Sequence, residues 1–313
     1  MVNELINILG QENVLENESM QAHTTLKIGG PARYFVLVEN EEKLIQLLEF
    51  LDSKKKPYFI LGNGSNLLVS DRGYNGVIIK LDGDFKDIKC IISEGGNTFD
   101  NTAVISAGAA SMLSQISHIA LDNSLVGMEF AAGIPGTLGG AILMNAGAYG
   151  GEMKNVVSSV RILEKSLNGQ YVVREYSKSN MKFGYRTSIV KTNGGIVLSA
   201  SMELGSGDYE EIKSTVEDYN AQRRDKQPLE FPSAGSTFKR PMGQFAGKLI
   251  TDAGLKGFKV GDAMVSTKHA GFCINAGNAT AADFKSLMDQ VTRKVFLSSG
   301  IKLEPEVILL GEF

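Results

Sequence analysis

Ser236, Arg186 and Glu306 are of the residue types that move a proton and steady an anion, and each stands in a polar setting. Ala234-Gly-Ser-Thr-Phe-Lys-Arg240 sets Ser236 beside a glycine and close to two cations. Phe183-Gly-Tyr-Arg-Thr187 places Tyr185 and Arg186 next to a strand-like run, and Glu304-Pro-Glu306 precedes the last such run. Lys268-His269 precedes another. Taken singly, each has a plain structural reading. Ser236 is then a turn hydroxyl, Arg186 an ion-paired surface cation and Glu306 a solvated strand-end residue. His23, His118 and His269 lack ligand spacing, so no metal site is expected. Ser, His and Asp could form a hydrolytic triad, but there is no GxSxG elbow, which argues against a hydrolase.

Glycine is in excess, 35 of 313 residues, and gathers in 62–76 and 127–151. Clustered glycine marks tight turns or close approach of backbone to a ligand. Leu61-Gly-Asn-Gly-Ser-Asn66 opens like GxGxxG, but the sixth position after Gly62 is not glycine and a strand-like run follows. A Rossmann site needs a helix N-terminus there, so that reading fails. The loop still offers backbone N–H groups, a hydroxyl and amides to phosphate oxygens. Gly133-Ile-Pro-Gly-Thr-Leu-Gly-Gly140 and Asn145-Ala-Gly-Ala-Tyr-Gly-Gly151 follow, and no GxxxxGK[ST] occurs. Any one loop could be only a turn. Three in one half of the chain, with few charges, suit the isoalloxazine and pyrophosphate of FAD.

These residues need elements to hold them. The chain is long enough for two or three domains. It has 43% hydrophobic and 21% charged residues, as a protein with a sizeable core does. Net charge −3 and a pI of about 5.8 give no field for nucleic acid. No basic leader and no membrane-length apolar run is read, so a cytoplasmic protein is expected. Cys90 and Cys273 are expected to be buried free thiols. Spacing predicts helices over 41–53 (capped by Asn40), 111–122, 208–224 (opened by Asp208 and Glu211, with Ile212, Val216 and Tyr219 inward) and 280–298 (capped by Thr280). Strands are predicted at 58–61, 67–69, 77–81, 103–106, 156–163, 171–175, 196–204, 271–275 and 307–310. Without regular βα alternation, an α+β fold is favoured.

Seven segments in order resemble the UDP-N-acetylenolpyruvoylglucosamine reductase (UDP-N-acetylmuramate dehydrogenase) family, over nearly the whole chain from about His23 to Gly311. They are His23-Thr-Thr-Leu-Lys-Ile-Gly-Gly30, Gly62-Asn-Gly-Ser-Asn66, Gly133-Ile-Pro-Gly-Thr-Leu-Gly-Gly140, Asn145-Ala-Gly-Ala-Tyr-Gly150, Phe183-Gly-Tyr-Arg186, Ala234-Gly-Ser-Thr-Phe238 and Glu304-Pro-Glu306-Val. The resemblance implies a flavin fold of the vanillyl-alcohol-oxidase (PCMH) type. Cofactor subdomains would be 1–85 and 86–205, with the PCMH-type region at about 30–195, and 206–313 would be an α+β substrate domain. It implies reduction of UDP-N-acetylglucosamine enolpyruvate to UDP-N-acetylmuramate with NADPH and non-covalent FAD, a step of peptidoglycan precursor synthesis.

On this resemblance Ser236 is the proton donor, and Arg186 and Glu306 polarise and stabilise the intermediate. The residues placed at FAD are Gly62, Asn63, Gly64, Ser65, Asn66, Gly133, Ile134, Pro135, Gly136, Gly139, Gly140, Asn145, Gly147, Ala148 and Arg223. Tyr185, Lys226, Arg240 and His269 face the substrate. Lys239 is expected to help Ser236 act as an acid. Ser201–Asp208 is too short for the tyrosine-bearing loop of the longer subtype, which leaves Arg240, Lys248 and His269 as candidates for the diphosphate. With no Rossmann site, NADPH is expected to share the sugar-nucleotide pocket. The chain is expected to be a monomer or weak oligomer, without nucleic-acid or membrane partners. The competing readings are a flavin alcohol oxidase, often tethered through histidine, and a non-catalytic sugar-nucleotide binder.

Overall fold

The computed structural model describes residues 1–93 and 102–313. They form a mixed α and β structure in two compact units, neither continuous in sequence. One unit comprises Met1–Val14, Val36–Gly62 and Ile79–Gln222, the other Leu15–Phe35, Asn63–Ile78 and Arg223–Phe313.

The first unit is built on a six-stranded antiparallel sheet. Tyr171–Ser177, Val157–Lys165, Ile196–Ser206, Thr102–Gly108 and Ile88–Ser93 lie side by side in that order, and Leu125–Val126 pairs with the end of Ile196–Ser206. Ala103, Ile105 and Ala107 are buried at every second position, the period that gives a strand one core face. The helix Glu41–Ser53 starts where Asn40 accepts a bond from the Lys43 N–H at 2.9 Å. Its Leu44, Leu47, Leu48 and Leu51 are 0% exposed. Each such leucine contributes about 1.5–3 kcal/mol on burial. Its outer face is tied to the sheet by a two-pronged Arg161–Glu41 pair at 2.7 and 3.1 Å. Lys165 and Tyr171 both donate to Asp52, at 2.7 and 2.8 Å. Burial works to raise the Asp52 pKa, but these two bonds outweigh it and hold the carboxyl below its usual range.

The second unit packs the helix Ala281–Ser299 over a three-stranded antiparallel sheet of Lys259–Val260, Ala263–Val265 and Cys273–Asn275. Phe284, Leu287, Met288, Val291 and Val295 are buried at helical spacing. Thr280 and Asp283 form a capping box with both bonds at 3.0 Å. Asp71 adds a second cap, accepting from the N–H groups of Ala281 and Ala282 at 2.7 and 2.9 Å. Gly300, with φ +72°, ends the helix. Ile308–Leu310 pairs in parallel with Leu67–Val69.

Several expectations need correction. The end of the loop read over 133–140 is not loop: residues 138–140 open the helix Leu138–Met144. The helix opened by Asp208 runs from Tyr209 to Lys226, and Asp208 accepts from the Glu211 N–H at 3.0 Å. Of its supposed inward face only Ile212 is buried, while Val216 and Tyr219 are half-buried. Cys273 is buried as expected, but Cys90 is only partly so. The strand placed at 77–81 begins at Tyr74, and that placed at 271–275 is confined to Cys273–Asn275. Strand Ile196–Ser206 gives way to the helix after Gly207 and Asp208, so no long loop stands there.

Candidate active site

In the second unit four distant segments are laced together by backbone. The Thr237 N–H donates to Gly271 O at 2.9 Å, and Thr237 O accepts from the Glu306 N–H at 2.8 Å. The Lys239 N–H reaches Glu304 O, also at 2.8 Å. Glu306 is thereby held against Thr237, the residue that follows Ser236. The loop that starts at Gly62 joins them, for Asn66 donates its amide to Glu306 O at 3.1 Å and accepts the Ile308 N–H at 3.0 Å. Thr25, from the His23-Thr-Thr motif, is the brace beneath: its N–H reaches Gly64 O at 3.2 Å and its hydroxyl reaches Ser233 O at 2.6 Å. A Cβ on Gly64 would lie 2.1 Å from His23 O, so only glycine lets the loop sit on that brace.

The core aims the serine. Ala234, Thr237 and Phe238 are buried, while Ser236 is exposed. Gly235 has φ +72° with open space where a Cβ would stand, so its glycine serves the backbone turn and not a close contact. Cys273 donates its N–H to the buried Thr237 hydroxyl at 2.8 Å. Burial pushes the Cys273 thiol up to about 12, so it stays protonated and inert.

The cations in this unit are arranged along its surface. Arg223 and Lys226 lie on the last turn of Tyr209–Lys226, whose end is closed by Lys268 donating to Arg224 O at 2.6 Å. His269 Nδ1 accepts the Gly271 N–H at 3.1 Å, and its ring meets Phe272 edge-on. Burial, the largest influence, lowers the His269 pKa. Arg240 is exposed and lies over the Phe245 ring at 4.6 Å. Lys239 pairs with Glu304 at 3.1 Å and Lys248 with Asp252 at 2.5 Å.

In the first unit the remaining glycine segments surround a short helix. Gly62 packs against Thr137, whose Oγ1 would stand 2.7 Å from a Cβ there. Leu138 and Gly139 give their N–H groups to Ser111 O and Ala109 O, each at 2.8 Å, which fixes the start of Leu138–Met144. Gly133 and Gly136 are half-buried, and Pro135 and Gly140 are exposed. Gly147 and Ala148 belong to a hairpin closed through Tyr149 and Gly150, with φ +51° and +86°, a two-residue turn with both angles positive. A Cβ on Gly147 would meet Gly151 O at 2.5 Å, so hairpin closure alone explains that glycine. Asn145 is buried, and both its Nδ2 and its Oδ1 are hydrogen-bonded within the protein. The Gly184–Thr187 turn carries Tyr185 and Arg186 at its tip, with the guanidinium over the Tyr185 ring at 5.2 Å.

Each unit by itself carries a segment that fits part of a dinucleotide. Segments 62–66 and 133–140 contain no charged side chain, so no carboxylate opposes a pyrophosphate. Gln227 Oε1, one turn beyond Arg223, is a buried acceptor without a partner among the described residues, which a ligand N–H or O–H can satisfy. A cavity of about 390 Å³ in the first unit is lined by Glu129, Glu203, Tyr149 and Tyr219 among others. Its carboxylates disfavour a phosphate, and none of the residues expected at FAD lines it.

Comparison with known proteins then decides the family. A model described as the C-terminal domain of UDP-N-acetylenolpyruvoylglucosamine reductase matches residues 227–310, and one described as an FAD binding domain matches 32–172. The UDP-N-acetylenolpyruvoylglucosamine reductase of Caldanaerobacter subterraneus subsp. tengcongensis is 48% identical over 312 residues, 100% of this chain and 98% of that protein. The chain belongs to the UDP-N-acetylenolpyruvoylglucosamine reductase family. The enzyme of the same name from Lachnoclostridium phytofermentans is 46% identical, covering 100% of this chain and 97% of its own. The crystal structure of the Thermus caldophilus reductase aligns with a TM-score of 0.77 at 33% identity, over 95% of this chain and 98% of that one. The reductase family therefore accounts for both halves of the chain.

Proposed function

We propose that this chain reduces the enolpyruvyl ether of UDP-N-acetylglucosamine to the lactyl ether of UDP-N-acetylmuramate, with NADPH as reductant. Such a step supplies peptidoglycan precursors in the cytoplasm. The observation that carries the reading is the backbone bond from Glu306 to Thr237, the residue after Ser236, continuous with the Asn66 end of the glycine loop. It supports one residue set serving both a cofactor and an acid.

FAD, when bound, would supply the hydride-transfer chemistry that links NADPH to the methylene carbon of the substrate. The protein supplies the rest. Arg186 holds the negative charge that develops toward the substrate carboxylate, the preorganised electrostatic contribution that dominates many enzymes. Ser236 delivers its proton to the adjacent carbon, so the double bond gains one hydride and one proton. Glu306 orders that network. Lys239 is ion-paired with Glu304, so its charge is shared and help to Ser236 must come in part from elsewhere. Arg223 contacts the cofactor; Tyr185, Lys226, Arg240 and His269 hold the sugar nucleotide. Lys248, paired with Asp252, is the weaker candidate for the diphosphate.

Histidine tethering, the mark of the alcohol-oxidase alternative, finds no support at His23, which bonds Glu18 at 2.9 Å and stacks on Phe35. The Ser236→Ala protein tests the assignment. Its flavin should bleach with NADPH at the normal rate but recolour at least about 100-fold more slowly when the enolpyruvyl substrate is added without oxygen. Recolouring at the normal rate would remove Ser236 from the chemistry.

A further inference from the structure

We infer that Asn145 is a positioning residue for Arg186 and not a ligand of the cofactor; this rests on the function proposed above. Asn145 ends the helix Leu138–Met144 in the left-handed region, φ +44° and ψ +56°. Asparagine tolerates that conformation better than most residues with a Cβ. Its side chain is 1% exposed, and every polar capacity that matters is used inside the protein. Nδ2 donates to Glu152 Oε2 at 2.6 Å and to Gly184 O at 3.1 Å, and Oδ1 accepts the Lys154 N–H at 2.9 Å.

Gly184 is the residue that closes the Arg186 turn. It exchanges backbone bonds with Thr187, at 3.0 and 3.3 Å, leaving only Tyr185 and Arg186 between them. Arg186 is itself held at φ +55°, a conformation arginine does not choose unaided. A second bolt lies beside the first: the buried Ser188 hydroxyl donates to Leu143 O at 3.2 Å. The turn is thus pinned at both ends to the C-terminus of Leu138–Met144, whose N-terminus emerges from the Gly133–Gly140 loop. One short helix fixes the backbone of the Arg186 turn relative to that loop. A misplacement of about 1 Å in such a group can cost about 100-fold in rate.

Two substitutions separate this from a merely structural role. In Asn145→Asp the new carboxylate cannot donate to Gly184 O and faces Glu152, so both bonds are lost. In the double variant Asn145→Asp with Glu152→Gln, the amide introduced at position 152 can donate to the carboxylate introduced at position 145, which restores that pair. The bond to Gly184 O stays broken, because a carboxylate has no proton to give it. We expect the double variant to recover part of the melting temperature lost by the single one. Its flavin recolouring by the enolpyruvyl substrate should stay about 10- to 100-fold slow. FAD affinity, read by flavin fluorescence titration of the apoprotein, and bleaching by NADPH should stay within about twofold of the parent. Ser188→Ala, which breaks only the second bolt, should show the same selective slowing in milder form and stands in if the Asn145→Asp proteins do not fold. Weakened FAD binding with normal recolouring would make Asn145 a cofactor ligand, and recovery of stability and recolouring together would make it a fold residue only. Either result overturns the inference. The parent protein is run alongside: if it fails to recolour with this substrate, the function proposed above has failed instead.

Discussion

At the residue scale, the side chains proposed for the chemistry have locked neighbours while they themselves remain accessible. Ser236 protrudes between buried Ala234 and buried Thr237, and Arg186 rides on a turn held at Gly184. His269 offers an independent check. Its ring must be neutral to accept the Gly271 N–H, and Gly271 O in turn receives the Thr237 N–H next to Ser236. Burial lowers its pKa below the unfolded value of about 6.5. The unfolded chain therefore binds the proton more readily, so the contribution of this site is intact above about pH 6.5 and is lost as pH falls through and below that value. The melting temperature should drop between about pH 7.5 and about pH 5.5, by more in the parent than in His269→Gln. Equal drops in the two proteins would remove His269 as the cause. Part of this scale is legible in the sequence. Ser236 and Glu306 stand in motifs that the family resemblance marks out, though the backbone bond that ties Glu306 to the residue after Ser236 is not written there. The engagement of Asn145 with Glu152 and Gly184 is illegible, because its partners are set by the tertiary turn and not by spacing.

At the element scale, local signals and long-range bonds divide the outcome. The helix Glu41–Ser53 is legible because its Asn40 cap and leucine stripe are local in sequence. Ala281–Ser299 is legible for the same reasons. Leu138–Met144 is not, since Gly139 and Gly140 depress helix propensity and its start is fixed by Ala109 O and Ser111 O, remote in sequence. The parallel pairing of Ile308–Leu310 with Leu67–Val69 is likewise silent in the sequence, which reports strand periodicity but not partners. The double cap of Ala281–Ser299 shows how far a local reading goes, for Thr280 is foreseeable and Asp71 is not. Replacing Asp71 with Asn keeps the shape but removes the charge and one acceptor at the positive end of the helix. It should destabilise the protein by about 1 kcal/mol, read by urea unfolding, with FAD affinity unchanged. No loss of stability would show that Thr280 and Asp283 suffice.

At the scale of the whole molecule, the family match spans both halves, so one reductase family accounts for the whole chain. Among the described residues no helix is long and apolar enough to cross a membrane. With no Rossmann site for NADPH, one pocket should serve both substrates in turn. Initial rates should then give parallel double-reciprocal lines, with NADPH and the sugar nucleotide each inhibiting competitively when in excess; intersecting lines would require two separate sites. The most direct test is anaerobic spectroscopy of the purified flavoprotein. NADPH should bleach the flavin, and UDP-N-acetylglucosamine enolpyruvate added next should restore its colour promptly, with one UDP-N-acetylmuramate formed per flavin. Bleaching that the enolpyruvyl sugar nucleotide cannot reverse would contradict the assigned reaction.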